Sequence, residues 1–117
     1  MKNLKSNGLE ITFEAGTKNV ITWFGRSDAR DPSSLINPYF EEIMDTLQGK
    51  ELEVKFEHLQ FINSSTLLTI VQMIKNLDQH RVKSTITYDK NSKWQGASFR
   101  ALEIIVNSLE HIKVIGK

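Results

Sequence analysis

The sequence predicts an α/β protein built on a mixed β-sheet, with elements in the order β-β-α-β-α-β-α-β and helices mainly on one face. Two observations point to the sheet. Leu9, Ile11 and Phe13 alternate with Glu10, Thr12 and Glu14, and Leu52, Val54 and Phe56 alternate with Glu51, Glu53, Lys55 and Glu57, the period-two pattern of strands wet on one side. The third observation is that amphipathic stretches, with apolar residues at three- and four-residue steps, separate the later strands. A hairpin followed by strand-helix alternation requires parallel crossovers.

The elements follow in order. Residues 9–14 and 20–24 form a hairpin across the turn Ala15-Gly16-Thr17-Lys18-Asn19, and Gly25 ends its second strand. Residues 26–36 mix charge, serine and Pro32, as suits a surface connection. Asn37-Pro38 is a helix-start signal, and Tyr39, Phe40, Ile43, Met44 and Leu47 mark an apolar stripe running to about Gln48, with Gly49 as the stop. After the strand at 52–56 comes a short apolar run, Leu59-Gln60-Phe61-Ile62. Leu67, Ile70, Val71, Ile74 and Leu77 then trace a second helix. Residues 85–88 read as a strand, 89–95 as a loop, Phe99, Leu102, Ile105, Val106 and Leu109 as a third helix, and 112–115 as a last strand.

With 117 residues the chain is the size of one compact domain. Fifteen Lys and Arg against fourteen Asp and Glu give a net charge of +1, too weak a field to steer the whole molecule onto nucleic acid or an anionic bilayer. The absence of Cys excludes a disulfide framework, a thiolate metal cluster and a thiol nucleophile, and favours the cytoplasm. Residues 1–7 lack the apolar run of a signal peptide, and no eighteen-residue apolar stretch exists to span a membrane.

Catalytic patterns fail one by one. His58, at a strand end, His80, at the end of the second helix, and His111 are scattered, so no metal is expected. No glycine-rich phosphate loop and no nucleophile elbow is present, so neither enzymatic activity nor a cofactor is expected. What stands out is Asn63-Ser64-Ser65-Thr66, hydroxyls gathered where an apolar strand-like run meets the second helix. One explanation is plain capping of the helix amides. The other is a binding or modification site, because in open α/β sheets the carboxyl ends of the strands are where ligands and partners bind, and a phosphoryl group there meets the positive end of a helix.

These residues carry a family resemblance. Phe61-Ile62-Asn63-Ser64-Ser65-Thr66-Leu67 resembles the phosphorylation loop of STAS domains, the anti-sigma-factor-antagonist fold, whose loop typically reads Asp-Ser-Ser/Thr-Gly. Gly25-Arg26-Ser27-Asp28 is similar to the Gly-x-Leu-Asp turn of those domains. Asn63 stands at the usual Asp and Thr66 at the usual Gly; the Asn-then-hydroxyl version and Tyr88-Asp89 resemble the SiaC-like regulatory phosphoproteins more closely. The segment 93–102 resembles a cyanobacterial-type branch of small STAS-like regulators.

The resemblance implies one STAS-like domain over 1–117, a bacterial, non-enzymatic signal-transduction protein of partner switching and transcription regulation. It implies phosphorylation of Ser64, with Ser65 second, by a partner Ser/Thr kinase, an anti-sigma-type partner and an opposing phosphatase. Asn63, Ser64, Ser65, Thr66, Trp94 and Arg26 form the expected partner surface. For Trp94, a lid over the core and an interface anchor are both open, and for Arg26 and Arg100 so is plain solvation. A constitutive scaffold with hydroxyls that only cap, and a small-ligand or enzymatic α/β domain, are the rival functions. Nucleic-acid binding ranks last.

Overall fold

The alternating segments pair into one six-stranded sheet whose spatial order is also its sequence order. The computed structural model describes residues 3–47 and 49–117. Its elements are β1 (Leu4–Ser6), β2 (Leu9–Glu14), β3 (Asn19–Ser27), α1 (Pro32–Leu47), β4 (Leu52–Ile62), α2 (Ser64–Gln79), β5 (Ser84–Tyr88), α3 (Lys93–Val106) and β6 (Ile112–Gly116). β1, β2 and β3 form an antiparallel meander, and β3 to β6 run parallel. Each parallel crossover advances one place in the same direction, so right-handed connections put all three helices on one face. Burial alternates accordingly. Leu9, Ile11, Phe13, Ile21, Trp23, Val54 and Phe56 are buried, while Glu10, Thr12, Thr22, Glu53 and Lys55 on the other face are half-buried.

The expected mixed α/β architecture is therefore the observed one, with β1 as an additional edge strand and several boundaries moved. α1 opens at Pro32, six residues before Pro38. Asp31-Pro32 and Asn37-Pro38 carry the same start signal, and the chain uses the first, with Ser33 Oγ donating to Asp31 Oδ1 at 2.8 Å. Pro38 lies inside the helix, and it and Ser34, four residues earlier, are exposed, where water takes the carbonyl that proline leaves without a donor. The expected helix end at Gln48 lies outside the described residues, as do Met1 and Lys2.

β4 is a single strand rather than two runs. Two register shifts against β3 break its alternation, so that Phe24 faces His58 and Arg26 faces Phe61. His58 thus sits within β4, stacked on Phe24 at 5.2 Å, and not at a strand end. α3 begins at Lys93, capped by Ser92, inside what reads as a loop, and ends at Val106, short of Leu109. Aromatic rings join the layers behind these elements. Trp23 lies 6.4 Å from Phe40 of α1 and 5.3 Å from Phe56, which stacks on Phe99 of α3 at 4.9 Å.

β3 does not end at Gly25 but passes through it to Ser27. Gly25 has φ +87°, and a Cβ there would overlap the Gly8 carbonyl oxygen, which accepts from Arg26 N–H at 3.0 Å. Strain and steric overlap act together at this position. Gly25→Ala is expected to cost about 2–4 kcal/mol of unfolding free energy. Urea denaturation checks this, and a loss under about 0.5 kcal/mol would show that β2 and β3 can separate there.

Candidate functional site

The junction between β4 and α2 is held from below by a chain of hydrogen bonds. Asn63 N–H donates to the Ser27 carbonyl at 2.9 Å, tying the end of β4 to the end of β3. Asn63 has extended backbone angles and caps α2, its Oδ1 accepting from Thr66 N–H at 2.9 Å and from the Thr66 hydroxyl at 2.7 Å. Asn63 Nδ2 donates to the Ala29 carbonyl at 2.8 Å, which pins the loop after β3.

Ser27 Oγ lies 2.6 Å from Thr66 Oγ1. Thr66 spends its one hydroxyl proton on Asn63, so Ser27 is the donor in this pair. The order Ser27 to Thr66 to Asn63 is thereby fixed. The Asn63 amide is required as an amide: one end must accept from a backbone N–H while the other donates to a backbone carbonyl. A carboxylate at this position would satisfy the first contact and set an oxygen against the Ala29 carbonyl in the second.

These contacts separate the predicted site residues into two groups. Thr66 is 0% exposed and Ser27 4% exposed, so Thr66 supports the loop and presents nothing to a partner. Asn63 is half-buried, whereas Ser64 and Ser65 are exposed on the first turn of a sixteen-residue helix. The first-turn amides have no carbonyl within the helix to pair with, and the turn holds no acidic residue. Arg26 is exposed on the sheet face opposite the helices, with its guanidinium 5.1 Å from the centre of the Phe61 ring.

Trp94 lies in the first turn of α3 instead of a loop, half-buried 6.1 Å from Phe99, so its ring packs on the core as a lid. Arg100 is exposed on α3.

Two residues that matter here do not stand out in the sequence reading. Gln95, 1% exposed, donates from Nε2 to the Phe56 carbonyl at 3.0 Å and the Leu59 carbonyl at 2.9 Å, and accepts from Asp89 N–H at 2.8 Å. The spacing Ser92-x-x-Gln95 marks the start of α3, but Ser92 N–H bonds the Asp89 carbonyl and the Gln95 side chain reaches Asp89 N–H and β4 instead, so the local pattern gives the helix start and not this role. Leu68 is 63% exposed, one turn after Ser64 and Ser65. It falls out of phase with the buried Thr66, Ile70, Met73, Ile74 and Leu77, and that phase error was visible in the sequence.

A recess of about 440 Å³ between α1 and α2, lined by Phe40, Met44, Gln72, Met73 and His80 among others, begins two turns beyond Ser64 along α2. Among the described residues no three His, Asp or Glu side chains gather as a metal site, and no helix is long and apolar enough to cross a membrane.

No family model matches the sequence, and no curated protein does. Among solved structures the chain is similar to an uncharacterised DUF3478-family protein with a SpoIIAA-like fold from Shewanella loihica PV-4. The TM-score is 0.57 with 12% identity, over 97% of this chain and 92% of that one. At that identity the likeness shows the fold alone, a mixed α/β fold of the SpoIIAA-like kind.

Thr66→Val keeps the shape and removes the hydroxyl, leaving Ser27 without its acceptor and Asn63 without one donor. It is expected to cost about 1–3 kcal/mol. The double variant Ser27→Ala/Thr66→Val should cost clearly less than the sum of the two single changes, because the unpaired group is removed with its partner. Additive losses in chemical denaturation would show that the two hydroxyls do not act as one unit.

Proposed function

We propose that this chain is a non-enzymatic, STAS-like regulatory domain that binds a protein partner through the start of α2 and is switched by phosphorylation of Ser64, with Ser65 as the second site. The observation that carries this reading is the pairing of an exposed Ser64 with the exposed Leu68 one turn later, on a turn immobilised from beneath by Asn63, Thr66 and Ser27. Leu68 is the apolar anchor, Ser64 the position where charge is added, and Ser65 and the accessible part of Asn63 complete the contact surface.

A phosphate brings about −1.5 to −2 charges and three acceptor oxygens. On the free protein it is tolerated, because it sits at the positive end of a helix with no carboxylate in the same turn. Against a partner surface that covers Leu68 it must be desolvated, and a difference of only about 1.4 kcal/mol already changes affinity tenfold. Reversible phosphorylation requires a Ser/Thr kinase and a phosphatase, and the resemblance to STAS domains adds an anti-sigma-type target and a cytoplasmic setting to this reading. The kinase supplies the nucleotide, so the chain itself needs no cofactor.

The test uses the full chain recovered from its own cells, with intact-mass and peptide analysis, followed by quantitative pull-down with wild type, Ser64→Ala, Ser64→Asp and Leu68→Ala. One added phosphate mapping to Ser64 is expected. Ser64→Asp and Leu68→Ala should each lower partner capture about tenfold or more, a difference of at least about 1.4 kcal/mol. Ser64→Asp should at the same time be as stable as wild type or about 0.3–1 kcal/mol more so, from its place at the helix start. Equal capture by all four proteins would leave a constitutive scaffold in which the hydroxyls only cap.

A further inference from the structure

The helical layer is divided in charge. α1 carries Glu41, Glu42 and Asp45 on its exposed face and no Lys or Arg. In α2 and α3 the pattern is reversed. Asp78 and Glu103 are half-buried and serve as internal acceptors, Asp78 for the Glu110 and His111 N–H groups and Glu103 for the Tyr88 hydroxyl at 2.8 Å. The charges these two helices leave exposed are Lys75, Lys93 and Arg100. Glu110, also exposed, lies past the end of α3.

The same two acceptors fix which helix faces meet. α2 and α3 each link parallel strands, so they run parallel to one another. Asp78 binds the link between α3 and β6 and so marks the side of α2 turned to α3, a side that Leu67 and Val71 share at helical spacing. On α3, Glu103 reaches the Tyr88 ring, which lies against Gly116 of β6, so the opposite side, with Trp94 and Ile105, faces α2. In a closed helix pair these four apolar residues would be buried. Instead Leu67, Val71 and Trp94 are half-buried and Ile105 is 37% exposed, because Ser98 and Ala101, between Trp94 and Ile105 on the same stripe, are too small to close the gap. Leu68 and Ile104, 63% and 72% exposed, stand on the crests to either side of this furrow.

We propose that the furrow between α2 and α3 docks one amphipathic helix of a protein partner, apolar along one stripe and acidic on both flanks. This deepens the reading of Ser64 as a switch and rests on that reading for its regulation alone. The occupant is a helix because an extended segment laid between two helices finds no backbone groups to bond, whereas a helix arrives with its own bonds made. From Trp94 to Ile105 the furrow runs about 16 Å, three helical turns. The flanks are acidic because Lys75 stands on the α2 crest and Lys93 and Arg100 on the outer face of α3, so that acidic flanks meet opposite charge on both sides and basic flanks meet like charge. Ser64 lies one turn before Leu67 and Leu68, at the start of the furrow. A phosphate there sets about −1.5 to −2 charges beside an acidic helix, which gives the switch its sign: the unmodified form binds and the modified form releases.

Two synthetic helical peptides with the same stripe of Leu, one flanked by Glu and the other by Lys, are titrated into the full unmodified chain at low salt. Trp94 fluorescence is the readout, since Trp23 is 0% exposed and gives a constant background. The Glu peptide is expected to bind about tenfold or more tightly than the Lys peptide. Ile104→Gln/Ile105→Gln, at exposed positions, should weaken the Glu peptide about tenfold with an unchanged far-ultraviolet spectrum. Gln72→Ala, on the side of α2 turned to α1, should leave it unchanged, and Lys75→Glu/Lys93→Glu should reverse the preference. Absence of binding by the Glu peptide, equal affinity for the two peptides, undiminished binding by Ile104→Gln/Ile105→Gln, or a preference that survives Lys75→Glu/Lys93→Glu would each overturn the proposal. Ser64→Asp should weaken the Glu peptide about tenfold. A Ser64→Asp protein that binds it as the wild type does would uphold the furrow and overturn Ser64 as its switch, so the two readings fail separately.

Discussion

The organising constraint of this molecule is that β4 is much longer than its neighbour β5. β4 runs for eleven residues and β5 for five, and only Leu52 to Lys55 of β4 are paired to β5. Beyond Lys55, the side of β4 turned toward β5 has no strand to bond with, and a buried carbonyl left unpaired costs about 1–3 kcal/mol. Gln95 takes over that role, its amide serving the Phe56 and Leu59 carbonyls from the start of α3. This explains why α3 begins as early as Lys93 and why Trp94 is drawn down onto Phe99. It also explains how the far end of β4 can project beyond β5 and still deliver Asn63 at a fixed place beside β3.

What could be read from the sequence follows from the same geometry. Strands with one wet face declare themselves by alternation, and α2 by its stripe, so the sheet, the helices and their order were legible. Where a residue serves the backbone instead of the core, the pattern carries little signal. Gln95 and Gly96 interrupt the apolar stripe at the start of α3, although Ser92 and Gln95 together spell a cap. The paired Asx-Pro signals at Asp31-Pro32 and Asn37-Pro38 are locally equivalent, and the buried position of Pro32 against the exposed Pro38 separates them. In β4 the two register shifts destroy the alternation at His58 and Phe61, so one strand reads as two.

The site divides in the same way. Asn63 as a cap, and the exposure of Ser64, follow from local rules about helix starts. The burial of Thr66 does not, because it depends on Ser27 arriving from a strand nearly forty residues earlier. The resemblance to a loop with glycine at this position points away from the answer: a threonine here fills the space and adds a hydroxyl that the cap and β3 share. The result is a junction whose support is independent of the residue proposed to be modified. None of the bonds that fix Asn63 involves the Ser64 side chain, so a change at that hydroxyl leaves the support of the junction in place.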